Sequence, residues 1–261
     1  MARHDVHLAG TALMLTAVLG GCSDGGAPTA GEVSLNLATR PAPLGASAGG
    51  AAFGVVSTPE TYIDTDGNTL VISAVQLVLR EIELERTDAP PGCDPVAVED
   101  DDCDEDLEFG PVLVDLPLGA AGAERSFSVP MEPGEFDELE LKVHRASAGD
   151  SEDAAFLAAH PEFDGVSVRV AGTYNGSAFT FDTDLDVELE FDLDPPLVVS
   201  QTSSSDVTIL VDLATWFRVE SGLLIHPESA NTGGDNESVV EENIKNSLEA
   251  FEDEDRDGSA D

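Results

Sequence analysis

Between residues 181 and 194 the chain reads FDTDLDVELEFDLD, with Asp182, Asp184, Asp186, Glu188, Glu190, Asp192 and Asp194 at every second position. Carboxylates at this spacing are cation ligands, and on a pleated strand a period of two would put all seven on one face. Neighbours on that face lie about 7 Å apart and repel by about 0.6 kcal/mol per pair in water, less in physiological salt. A folded domain tolerates such a cost unaided. A flat row also offers a cation about two or three oxygens, whereas Ca²⁺ takes six to eight. Two readings therefore stand: a cation-binding or mineral-facing surface, or the solvated outer face of a half-buried strand. The oxygen count favours the second, as does a chain whose only lysines are Lys142 and Lys245.

A second acidic motif closes the chain. Asp253, Asp255 and Asp257, followed by Gly258, match the D-x-D-x-D-G opening of an EF-hand loop behind a helical segment. The chain ends at Asp261, before the position of the bidentate Glu, so a Ca²⁺ site here needs ligands from elsewhere. An acidic solvated terminus is the competing reading. Calcium is thus an accessory ion suggested by the pattern, and no cofactor is required by it.

Catalytic signatures are sparse. Past the leader only His144, His160 and His226 remain, none in H-E-x-x-H spacing, and no G-x-S-x-G elbow occurs. His144 is out of phase with Leu141 and Val143 and is expected to point outward; His160, before Pro161, is expected to end a helix. Trp216 and Phe217 are expected to pack in a core short of aromatics, at the end of a strand. Carboxylate pairs suited to glycoside hydrolysis are too abundant for any one to be singled out.

The first 22 residues set the compartment. A short start with Arg3 leads into an apolar run from Leu8 to Leu19, then Gly20-Gly21-Cys22. The run is about a dozen residues, against about 20 for a membrane-crossing helix, and reads as an export signal. Leu19 and the small pair before Cys22 resemble the bacterial lipobox, which implies cleavage before Cys22 and a diacylglyceryl thioether on its sulfur. Ser23, in place of aspartate, fits sorting to the outer membrane in a diderm cell. Residues 23–30 are small or polar and suit a flexible tether. In such an oxidising compartment Cys93 and Cys103 are expected to form a disulfide, worth about 3 kcal/mol at most for so short a loop. A zinc site on this pair lacks nearby histidine.

The elements that must carry these residues are mostly strands. The chain has 261 residues, 53 Asp plus Glu against 11 Lys plus Arg, and a formal charge of -42; its 41% hydrophobic content argues against wholesale disorder. So few cations exclude a nucleic-acid partner, and an anionic membrane surface would repel the chain. Period-two alternation predicts strands over 32–38, 69–86, 107–116, 124–131, 135–145, 165–174, 178–193 and 206–217. Asn175-Gly176 predicts a two-residue hairpin turn placing Val170 opposite Phe181 and Val166 opposite Leu185. The apolar phase of 69–86 switches near Arg80, which predicts a bulge there, unless its first half is buried on both faces. Ser151 and Asn236 are expected to cap helices, the second carrying the stripe Val240, Ile244, Leu248 and Phe251. The fold class is all-β: an antiparallel β-sandwich, with a barrel as second choice, and a short C-terminal amphipathic helix. The expected divisions are signal peptide 1–21, tether 22–30, sandwich 31–235, helix 236–252 and acidic tail 253–261.

VLVDLPLG at 112–119 and VPMEPGEFDELELKVH at 129–144 resemble a group of uncharacterised bacterial lipoproteins that carry an all-β domain of unknown function. LVISAVQLVLREIELER and VDLATWFR are similar to segments of hypothetical exported proteins of that kind. The resemblance implies an envelope location and supplies no catalytic residues; the Ala/Gly/Pro-rich stretch 41–54 departs from its compact start. The expectation is a lipid-anchored, non-enzymatic binding or structural module of the cell envelope, held to the membrane through Cys22, with a protein, glycan or cation as partner. A glycan-directed envelope hydrolase and a solute-binding lipoprotein for cationic ligands are the alternatives.

Overall fold

In the computed structural model, the residues described are 31–40, 58–87, 105–119, 125–201 and 204–253. Their strands are β1 (Gly31–Thr39), β2 (Glu60–Ile63), β3 (Thr69–Arg86), β4 (Glu105–Asp115), β5 (Arg125–Met131), β6 (Gly134–Val143), β7 (Val168–Tyr174), β8 (Ser177–Thr183), β9 (Val187–Val199), β10 (Ser204–Val211) and β11 (Leu248–Glu252). The helices are α1 (Ala154–Ala159), α2 (Leu213–Trp216) and α3 (Glu237–Lys245). One sheet runs β11-β10-β1-β5; the other runs β8-β7-β3-β6-β9, with β2 and β4 also paired to β3. Two sheets enclose one main core, as expected of a sandwich. The pairing is not wholly antiparallel, because β1 and β10 run parallel, with Leu35 beside Val207 and Leu37 beside Ile209.

The long strand β3 organises the second sheet. Leu70 and Ile72 face the core, then Val75, Leu77 and Leu79, then Ile82 and Leu84. The apolar phase therefore changes twice. The register shifts between Leu79 and Glu81 against β4, at the expected bulge by Arg80. It shifts again between Ile72 and Ala74 against β7, leaving Ser73 and Ala74 exposed. Each extra residue restores the inward phase and bends the strand. The bends let one edge of β3 pair first with β2 and then with β4, and the other first with β7 and then with β6. The β7–β8 hairpin turns on Asn175 (φ 51°) and Gly176 (φ 81°), and Val170 does lie opposite Phe181. The ladder ends at Val168 and Thr183, short of the expected Val166–Leu185 pair.

Three sequence expectations need correction. The strand expected over 178–193 is two strands, β8 and β9, separated by the irregular residues 184–186. The strand expected over 206–217 ends at Val211; Asp212 then caps α2, its carboxylate accepting from the Ala214 N–H at 3.0 Å. This turns Trp216 fully into the core, where its indole N–H donates to Ser247 Oγ at 2.7 Å. The C-terminal helix expected over 236–252 stops at Lys245, and Leu248 and Phe251 belong to β11 on the edge of the first sheet. Val240 and Ile244 are buried as the stripe requires, but a strand partner for β10 outcompetes further helix.

Candidate functional site

The outer surface of the second sheet holds the largest organised group of carboxylates among the described residues. On β9, Glu188, Glu190 and Asp192 alternate with the core-packed Leu189 and Phe191. On β6, Glu138 and Glu140 alternate with buried Leu139 and Leu141; on β3, Glu81, Glu83 and Glu85 alternate with buried Ile82 and Leu84. Strand register sets these side by side. Asp192, Glu138 and Glu85 form one row; Glu190, Glu140 and Glu83 form the next. Glu188 pairs with Lys142, whose ammonium lies 3.6 Å from Glu81. Eight acids and one lysine thus occupy adjacent positions on three strands, and β4 brings Asp106 and Glu108 into register with Glu83 and Glu81.

Two dimensions change the electrostatics. Strands sit about 4.8 Å apart, closer than the 7 Å between neighbours along one strand. At about 5 Å a charge pair repels by about 0.8 kcal/mol in water and several times that beside protein. Glu140, at the centre, carries the result: partial burial, a hydrogen bond that its protonated form donates to Glu188, and the charges of Glu188, Glu85 and Glu138 push its carboxyl up to about 7. Glu138 is also raised, by burial first and then by Glu85, Glu190 and Asp192. Oxygens of Glu138, Glu140 and Glu190 lie within 4.8 Å of one another, so three carboxylates converge where a cation would sit.

The seven acids of the 182–194 run do not share one face. Glu188, Glu190 and Asp192 join the sheet surface. Asp182, on β8, forms a two-bond ion pair with Arg169 at 2.7 and 2.9 Å, and that guanidinium also stacks 4.9 Å above the Phe163 ring. Asp184 and Asp186 lie on the irregular segment before β9, and Asp194 precedes Pro195 through a cis peptide. The break in the strand is the physical reason, since alternation survives only where the pleat does.

Asp253 is fully buried at the end of β11, where Oδ2 accepts from Thr208 Oγ1 at 2.7 Å and its N–H donates to the Asp206 carbonyl. Asp255 and Asp257, Cys22, and Cys93 with Cys103 fall outside the described residues. His160 caps the end of α1 and lies against Phe156, and His226 lies against Tyr174.

Two features escaped the sequence reading. A second carboxylate group joins Asp184 to Glu237 and Glu241 at the start of α3, again with oxygens within 4.8 Å. Thr232 donates to Asp184 at 3.0 Å, the Gly233 N–H donates to Glu237 at 2.9 Å, and Thr183 donates to Glu241 at 2.5 Å. His144, expected outward, is buried. β6 ends at Val143, so strand alternation no longer governs the next residue.

No protein-family model and no curated protein matches the chain. Among solved structures it is similar to MbnP from Methylosinus trichosporium, at 14% identity over 71% of this chain and 77% of that one, with a TM-score of 0.35.

Proposed function

We propose that this chain is a lipid-anchored, non-enzymatic binding module of the bacterial cell envelope whose β9–β6–β3 face takes up cations, calcium foremost. The observation that carries the proposal is the position of Glu140. Partial burial first, and then the carboxylates of Glu188, Glu85 and Glu138 packed around it, keep a proton on it at a pH where an isolated Glu has lost it. A divalent cation relieves the same repulsion, so the face is set up to exchange protons for metal. Glu138, Glu140 and Glu190 each bring one oxygen within 4.8 Å of the others, and water completes the six to eight that Ca²⁺ takes. Hard oxygen ligands in a partly exposed array suit Ca²⁺, which accepts varied geometry, better than the smaller, geometrically strict Mg²⁺. The Leu19-Gly20-Gly21-Cys22 sequence supports anchoring through Cys22.

Calorimetric titration with CaCl₂ of the protein and of the triple variant Glu138→Gln, Glu140→Gln, Glu190→Gln tests this. The amides preserve size and remove charge, so the fold persists. The variant is expected to bind at least about tenfold more weakly; equal binding would overturn the proposal.

A further inference from the structure

Apart from the sheet face, a buried imidazole aims an unused nitrogen at a carboxylate. His144 directly follows β6, and its N–H donates to the Val78 carbonyl at 2.9 Å, which turns the ring inward beside Asp153. Asp153 is fully buried. One of its oxygens lies 2.9 Å from His144 Nε2, and the other accepts from the Ser147 N–H at 2.7 Å. A carboxylate in that position accepts a hydrogen bond from Nε2–H, which leaves the lone pair on Nδ1, an assignment made from the hydrogen-bond pattern. The side chain is 7% exposed, and Nδ1 has no hydrogen-bond partner. It faces Asp186 Oδ2 at 3.8 Å, on the irregular segment between β8 and β9; the Asp186 side chain is 44% exposed.

We infer that His144 Nδ1 and Asp186 form a site for a first-row divalent cation of the zinc type, with water completing the coordination shell. The arrangement supplies two protein ligands and a group that orients one of them, with water left to supply the remaining ligands. The imidazole is one ligand, a carboxylate open to solvent is the second and the entry side, and Asp153 orients the ring from behind. Imidazole selects zinc-type ions over Ca²⁺ and Mg²⁺, which favour oxygen, so this site and the sheet face take different metals. An ion about 2.0–2.1 Å from each donor in tetrahedral geometry spans about 3.4 Å. Asp186 closes the 3.8 Å gap by about 0.4 Å, within reach of an irregular segment. The Arg145 guanidinium, 3.3 Å from Asp184, opposes a cation here, while the Arg145 N–H, 3.3 Å from Asp186 Oδ2, steadies the ligand carboxylate.

The test is a Zn²⁺ titration of the protein in millimolar Ca²⁺, which occupies the sheet carboxylates. It is followed by calorimetry and by long-range ¹H–¹⁵N spectra of the histidine rings. One equivalent should bind and move the His144 Nδ1 resonance. Asp186→Asn should weaken binding by about tenfold or more, and Asp153→Asn by about 10–100-fold. His144→Gln should abolish it. If that variant does not fold, the exposed Asp186→Asn change and the wild-type ring spectra decide. Three results would overturn the inference: no Zn²⁺ uptake in Ca²⁺, equal uptake by Asp186→Asn, or a His144 Nδ1 resonance that Zn²⁺ leaves in place. If the sheet face does not bind Ca²⁺, the His144 Nδ1 resonance and its loss of response in Asp186→Asn still report this site alone.

Discussion

Glu140 links the electrostatics of one side chain to the stability of the domain. Its carboxyl, ordinarily near 4.5, is pushed up to about 7 in the folded state, so folding favours the protonated form. The contribution to stability is complete below about pH 4.5 and is lost as the pH rises through about 7. Glu140→Gln should therefore stabilise the cation-free protein at pH 8 by about 1 kcal/mol after solvent screening and have little effect at pH 5, as read by denaturant unfolding. Asp64 has the opposite sign. Hydrogen bonds from Asn68, then from the Leu224 and Asp66 N–H groups, hold it down to about 2. Its contribution is present above about pH 4 and lost as the pH falls toward 2, so Asp64→Ala should lower the melting temperature at pH 7 and flatten the acid limb below pH 4. At this scale the alternation of acids on β9 was legible from the sequence. The neighbours on other strands that shift Glu140 were not, because Glu188 and Glu85 reach it only through the register of β6 with β9 and β3.

At the scale of elements, β3 and β7 set the sheet that displays the acids. Gly172 on β7 sits beside the bulge of β3, and a Cβ there would meet the Val71 carbonyl oxygen at 1.9 Å. Nothing flexible stands in the way to yield, so Gly172→Ala should destabilise the domain by about 3 kcal/mol or more in chemical unfolding and weaken the β3–β7 pairing. The bulge at Arg80 was readable from the parity change between Leu79 and Ile82. The second was masked by an unbroken apolar run, Leu70 to Ile72, that fits either parity or burial on both faces. The C-terminal strand was missed for a related reason. Val240, Ile244, Leu248 and Phe251 keep helical spacing across Asn246 and Ser247, and only the open edge of β10 decides that the last two join a strand.

For the whole molecule, the formal charge of -42 is self-repulsion that the two-sheet core must overcome. Added NaCl should raise the melting temperature by screening it, and CaCl₂ at equal ionic strength should raise it further, because binding to the folded state adds to screening. The arrangement has a simple division of labour: greasy faces meet inside, the acidic face of the second sheet looks outward, and the expected tether at Cys22 would hold that face near the envelope. The most direct measurement is carboxyl ¹³C NMR of the protein through a CaCl₂ titration at pH 7, following Glu138, Glu140 and Glu190. The account predicts that these resonances move together with the first ion bound and that Glu140 releases its proton as they do. Resonances that stay fixed while calcium binds elsewhere, or a Glu140 that keeps its proton at saturation, would contradict it.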